Sequence, residues 1–351
     1  MLRNTKQAIQ QLKSGMLEET IKLIVGKHAI HKLQKKYGKD THIIFMRGAT
    51  GDTYLQLLLL EEYVRQKKIK KYIIAGDARG VDGLSAIFPV SDYLKYSVYQ
   101  AECIEKTYLF LNGQNMNLRL FFLWSNAFQH NKCRIRMTER FNFMDSYKNF
   151  VLELTEPVCL RTPHFLDAHE DDFWRWQKQG ILSGKTVIIS PDANSVTGLP
   201  VWFWNSIILE LKEKGFTVFV NCNYYNYYRA ADIFFSYHDS VPLLEYAGFF
   251  VGVRSGLCDI ISSAKCEKII IYPEKQKEIN YSEHRTEIEF SGLEIMGLVD
   301  ADSHLHEIAT PLIRNITDKE SLLEGSEDYF TALRNLRNSI LEQIKEKQKI
   351  C

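Results

Sequence analysis

Arg254-Ser255-Gly256 stands between two apolar runs, Phe250–Val253 and Ile269–Ile271, within the stretch FVGVRSGLCDIISSAKCEKIIIYP. The spacing predicts a strand, a sharp turn, a short helix beginning near Leu257 and a second strand. A helix that starts directly after a strand presents unpaired N–H groups and the positive end of its dipole, which suits a phosphate. Ser255 can cap that helix, Gly256 lets backbone approach a ligand closely, and Arg254 adds a fixed charge. The same residues also describe an ordinary βαβ turn with a solvated arginine.

Two further polar turns follow apolar runs. Arg47-Gly48-Ala49-Thr50-Gly51-Asp52-Thr53 comes after Ile43–Phe45, where a doubly wound sheet binds ligands beyond its strand ends. Its glycines lack the G-x-G-x-x-G spacing of a dinucleotide site, and Gly51 is followed by Asp and Thr, not by the Lys and Ser/Thr of a P-loop. At a helix N-terminus Asp52 should remain a carboxylate. It is then either a helix-start residue or a general base for an incoming hydroxyl. Ser190-Pro191-Asp192-Ala193-Asn194-Ser195 follows Thr186–Ile189, and its hydroxyls and N–H groups either hold a phosphate or sugar or cap the helix behind them. Asp300 and Asp302, near His304 and His306, could form a metal-binding D-x-D or a solvated loop. His164, Asp167, His169, Glu170 and Asp171 contain ligand types but fall in a stretch expected to connect domains.

Strands alternating with helices must position these turns. Strands are predicted at 43–45, 72–74, 118–124, 186–189, 217–220 and 232–235, with another at 293–299. Helices are predicted at 3–36, 54–65, 99–111, 141–154, 202–214 and 241–247, with a long terminal one at 318–348. Leu333, Leu336, Ile340 and Ile344 repeat at helical spacing there, so one face should be buried, and Thr317 with Glu320 has capping-box spacing. The pattern is α/β with open, mainly parallel sheets. It divides into residues 1–160 with a leading helical segment, a connection at 161–184, a second α/β series at 185–316 and a terminal helix at 317–351.

Composition narrows the class. A chain of 351 residues with 45% hydrophobic and 25% charged residues is that of a globular protein large enough for about two domains. A net charge of +1 argues against a nucleic-acid partner. No apolar run approaches the roughly 20 residues of a membrane span, and MLRNTKQAIQQLKSG is too polar for a signal peptide. Seven scattered cysteines without CxxC spacing suit reduced thiols, hence a cytoplasmic location, and carry no zinc signature. Residues 1–40 hold nine Lys plus Arg against three acids, a net of +6. A basic helix of this kind either packs on its own domain, the favoured reading because Gly15 and Gly26 interrupt its pattern, or lies on a partner or an anionic membrane surface.

In order, Gly51-Asp52, then TVIISPDANS before VWFWNSIILELKEKGF, then AGFFVGVRSGLCD resemble GT-B glycosyltransferases of the heptosyltransferase-like kind (family 9-like) over about residues 40–275. The last landmark of that family reads A-G-x-x-V-G-x-D-T-G-L-x-H; here Arg254 replaces the acid and Asp259 the histidine. The RSGLCD version is similar to fucosyltransferase-like GT-B proteins. The resemblance implies two Rossmann-like α/β domains facing a central cleft, and no cofactor beyond a nucleotide-sugar donor and no metal. Asp52 would be the catalytic base, with Arg47, Gly51 and Thr53 on the acceptor side. Ser190, Asp192, Asn194, Ser195, Arg254, Ser255, Gly256, Leu257 and Asp259 would hold the donor. The acceptor would be a glycan or lipid-linked hydroxyl, reached from the cytosol with peripheral contact to the inner membrane face compatible with the basic helix. The resemblance leaves the donor sugar, linkage and oligomeric state open. A metal-dependent transferase using Asp300 and Asp302, or a non-catalytic scaffold of this fold, are the alternatives.

Overall fold

The computed structural model describes residues 2–38, 41–46, 50–77, 82–89, 93–110, 119–122, 143–193, 199–222, 228–272, 293, 297–298, 304–309 and 327–348. The chain divides into two compact units, Met1–Cys133 with Lys148–Pro163, and Arg134–Tyr147 with His164–Cys351.

In the first unit, β1 (His42–Met46) is buried at every position, as a strand covered on both faces requires. It leads into α2 (Thr50–Gln66), then β2 (Tyr72–Asp77), β3 (Tyr93–Tyr96), α3 (Val98–Phe110) and β4 (Arg119–Phe122). The strands pair in parallel in the order β3-β2-β1-β4. Helix α1 (Leu2–Tyr37) runs unbroken through both of its glycines and packs on α3. Lys22 bridges Glu18 at 2.7 Å and Glu102 at 3.0 Å, and Lys106 reaches Glu19 at 2.6 Å. Ile30 and Leu33 complete a core with Ile43, Phe45, Ala101 and Ile104. The helix therefore packs on its own unit, as favoured from the sequence. Its glycines, however, do not interrupt it: Gly26 is the contact point with α3.

Before the expected connection, a short helix α4 (Phe143–Ser146) passes into a π-helical turn at Tyr147–Val151, where one continuous helix was expected over 141–154. The Arg161 N–H donates to the Leu58 carbonyl at 2.8 Å, and its guanidinium meets Glu61 at 3.1 Å, all within the first unit. Five residues on, the Leu166 N–H donates to the His238 carbonyl of the second unit. Helix α5 (Glu170–Lys178) then anchors Trp176 in the second core.

The second unit contains β5 (Thr186–Ser190), α6 (Val201–Glu213), β6 (Thr217–Val220), β7 (Ala231–Asp232), α7 (Tyr237–Ala247), β8 (Gly248–Val253), α8 (Gly256–Ile260), β9 (Glu267–Tyr272), β10 (Leu305–Ala309) and α9 (Glu327–Gln348). All pairings are parallel, in the order β10-β9-β8-β5-β6-β7. Alternate strand residues face opposite sides: Val187, Ile189, Val251 and Ile269 pack under α6 and α9, while Ile188, Phe250 and Ile270 pack under α5, α7 and α8. Leu333, Leu336, Ile340 and Ile344 are buried as their spacing predicts. The proposed capping box at 317 and 320 lies outside the described residues.

Three further sequence expectations are corrected. The last strand among the described residues is Leu305–Ala309, whereas the described part of 293–299 forms turns. An edge strand reading LHEIA lacks the continuous apolar run of its neighbours. The strand expected at 232–235 is only Ala231–Asp232, again at a sheet edge. A helix also occupies Glu170–Lys178, where charged residues suggested a connection; its Trp176 is buried and its Phe173 stacks on Tyr246. The fold class itself stands: each unit is the α/β, parallel-sheet body that the resemblance implies.

Candidate functional site

The strand order places the two polar turns of the second unit side by side. In both sheets the first strand has its successors on one side and a later strand on the other. β5 has β6 and β7 on one flank and β8, β9 and β10 on the other. Such a reversal is a topological switch point, where loops leave in opposite directions and open a crevice beyond the strand ends. Ser190, the last residue of β5, sits opposite Gly252 of β8. A Cβ at Gly252 would lie 3.2 Å from the Ser190 carbonyl oxygen and 2.8 Å from the Phe250 ring, so the two strand ends meet without a side chain between them.

At the β5 end, Ser190 and Pro191 are buried and Asp192 is exposed. Partial loss of hydration raises the Asp192 carboxyl above its ordinary range. Asn194 and Ser195 lie outside the described residues.

At the β8 end, the Arg254 N–H donates to the Ile271 carbonyl at 2.9 Å, which ties the turn to β9. The Arg254 side chain then folds inward. Its Nη2 donates to Asp259 Oδ1 at 2.6 Å, and Nη1 donates to Asp259 Oδ2 at 3.0 Å and to the Ser255 carbonyl at 2.6 Å. Both partners are buried. Loss of hydration weakens the hold of Arg254 on its proton, and Asp259, Tyr272 and Cys258 together more than restore it. Burial raises the Asp259 carboxyl while Arg254 pulls the other way; the two-pronged geometry is that of a carboxylate on a guanidinium. Arg254 and Asp259, read from the sequence as separate donor contacts, thus form one buried pair that spans the turn.

Ser255 occupies the position before α8 with extended backbone, yet its side chain makes no capping bond. This corrects the expected cap. Its carbonyl instead accepts from the Cys258 N–H at 3.0 Å, and its Oγ lies 3.8 Å from Cys258 Sγ. Burial pushes the Cys258 thiol up, so it is a packing residue rather than a nucleophile. Gly256 and Leu257 open α8, both half-buried. Tyr272 and Glu307, which the sequence did not single out, are bonded to one another across β9 and β10, and the Leu293 N–H also donates to Glu307 at 2.8 Å. A tyrosine closing an apolar strand was the available signal, but its partner lies 35 residues away.

The first sheet repeats the arrangement. β1 has β2 and β3 on one side and β4 on the other, and Gly51, Asp52 and Thr53 form the first turn of α2 beyond it. Gly51 and Thr53 are buried and Asp52 is half-buried. Arg47 lies outside the described residues, as do Asp300 and Asp302. His304 Nδ1 donates to Glu267 Oε1 at 2.7 Å, at the start of β9 and so at the opposite end of the sheet from the polar turns. His169 and Asp167 stand 4.0 Å apart on the surface. Among the described residues no group of three His, Cys, Asp or Glu side chains is arranged to hold a metal ion.

No protein-family model and no curated protein matches the chain. Among solved structures it is similar to a family 9 glycosyltransferase from Veillonella parvula, at 11% identity over 88% of this chain and 98% of that one, with a TM-score of 0.49. It is also similar to the ADP-heptose lipopolysaccharide heptosyltransferase II of E. coli, at 14% identity over 87% and 99%, with a TM-score of 0.46. A third is an iron-containing dodecameric glycosyltransferase of enterotoxigenic E. coli, at 14% identity over 88% and 76%, with a TM-score of 0.47.

Proposed function

We propose that the chain is a nucleotide-sugar glycosyltransferase, transferring a sugar from a nucleotide diphosphate to a hydroxyl of a glycan or glycolipid with inversion and without a metal. The observation that carries this reading is the β5–β8 switch point, which sets the Ser190–Asp192 and Arg254–Leu257 turns next to one another at the C-terminal edge of the second sheet. In this reading the diphosphate lies over Ser255–Leu257, where backbone N–H groups face outward from the start of α8. Ser190, Asp192, Asn194 and Ser195 hold the phosphate or sugar from the neighbouring loop.

Arg254 acts through the turn. Because Asp259 holds both of its terminal nitrogens, its main work is to fix the Ser255 carbonyl and so aim the N–H groups that follow. Acceptor enters on the first unit, where Asp52 takes the proton of the acceptor hydroxyl. The freed oxygen attacks the anomeric carbon as the bond to the diphosphate breaks, and the departing charge is met by the Ser255–Leu257 backbone.

The test begins with donor binding. At a hundredfold excess over its dissociation constant, the matching nucleoside diphosphate should stabilise the folded protein by about 2.7 kcal/mol, read as a thermal shift. Transfer or donor hydrolysis should then vanish in Asp52→Ala while the shift persists, and should survive chelator. Activity lost in chelator and restored by manganese would favour Asp300 and Asp302. The inward commitment of Arg254 favours one other reading, a non-catalytic scaffold of the same fold; it gains if none of the common nucleoside diphosphates produces a shift.

A further inference from the structure

One face of α1 carries a side-chain pattern that the proposed chemistry does not use. At 3.6 residues per turn, Leu17, Ile21, Ile24, His28, His31 and Lys35 fall within about 80° of the helix circumference. Their steps of four and three residues in alternation are those of a coiled-coil seam. All six are exposed, Leu17 by 62% and Ile24 by 64%. Lys22, Gly26, Ile30 and Leu33, which meet α3 and the first core, lie on the opposite side of the helix. The inner face thus has its partner within the unit, and the outer seam is patterned for another helix.

The charges beside the seam choose that helix. Glu18, Val25 and Lys32 line one flank at seven-residue steps, with the acid at one end and the base at the other. Glu18 is 63% exposed and binds Lys22 through Oε1 at 2.7 Å; a carboxylate has room for a second cation. Two copies of α1 laid antiparallel, about a two-fold axis at the level of Gly26, bring Glu18 of each against Lys32 of the other. The same register sets Ile24 on His28, Ile21 on His31 and Leu17 on the aliphatic stem of Lys35. On the other flank Lys27 meets its own copy, at an exposed rim where a long side chain turns to water. A parallel pair would instead stack Lys35 on Lys35 and set Lys27 against Lys32. We propose that the chain forms an antiparallel dimer through this face of α1. The seam spans only about 27 Å, so the interface is small and the dimer is of micromolar affinity.

Sedimentation equilibrium of the full chain, from micromolar to sub-millimolar concentration, tests this. The mass should rise from the 40.9 kDa of one chain to twice that. Leu17→Glu/Ile24→Glu alters exposed positions, should melt like the parent and should stay monomeric throughout. Lys32→Glu turns two symmetric flank pairs repulsive and should raise the dissociation constant roughly tenfold. The charge exchange Glu18→Lys/Lys32→Glu restores both pairs, while Lys22 keeps Glu102, and should return the constant to within about threefold of the parent. A parent chain that is monomeric at every concentration overturns the proposal. So does a dimer that survives Leu17→Glu/Ile24→Glu, which would place the interface elsewhere. Failure of the charge exchange to recover what Lys32→Glu loses overturns the antiparallel register.

Discussion

Arg254 shows how a residue's chemistry depends on its neighbour five positions on. An exposed arginine at the head of a helix would be a phosphate ligand; here it is a buried cation that donates two bonds to Asp259. Removing one partner of such a pair strands the other without hydration, so Asp259→Ala should cost about 3–5 kcal/mol. Replacing both, as Arg254→Met with Asp259→Leu, should cost less than the single change, since no uncompensated charge remains. Urea denaturation of the three variants checks the order; a loss under 1 kcal/mol for Asp259→Ala would mean that water reaches Arg254. The sequence showed the residue types but not the pairing. The two lie on opposite sides of a strand-to-helix turn, and only the turn's geometry folds one side chain back on the other.

At the scale of elements, α1 reverses a usual expectation for glycine. A helical glycine ordinarily gains about 0.5–1 kcal/mol when changed to alanine, and Gly15, with nothing within 4 Å of a would-be Cβ, should behave that way. At Gly26 a Cβ would fall 2.1 Å from the Cys103 carbonyl oxygen and 2.2 Å from Thr107 Oγ1. Those atoms belong to α3, and one of them is backbone, so the helices must part. Gly26→Ala should therefore destabilise by about 1–3 kcal/mol. Opposite signs for the two variants in thermal or chemical melts are the expected outcome, and equal signs would contradict this packing. The central strands were legible because burial on both faces leaves near-continuous apolar runs. β7 and β10 were not, because edge strands are short and half-exposed. Helix α5 was missed for another reason: Phe173 and Trp176, three residues apart, do mark one face and pack on Tyr246, but nine residues rich in charge between polar stretches read as a connection.

At the scale of the molecule, each unit has its own parallel sheet and its own buried core. Gly26 and Asp259 share no partner among the described residues. The losses from Gly26→Ala and Asp259→Ala should then add to within about 0.5 kcal/mol in the double variant. A larger departure, measured by the same urea titration, would show that the two sites are energetically coupled.

The sequence by itself determined that there are two α/β series, that polar turns follow Phe45, Ile189 and Val253, and that one face of the terminal helix is buried. These features depend on apolar spacing and turn chemistry within a few residues, which the order of amino acids states directly. Tertiary structure decided the rest. It set β8 beside β5 so that two turns more than 60 residues apart share one sheet edge, closed Asp259 onto Arg254, and left Leu17 and Ile24 of α1 exposed. Strand order, side-chain pairing and exposure each depend on which distant segments become neighbours, and local periodicity holds no record of that choice.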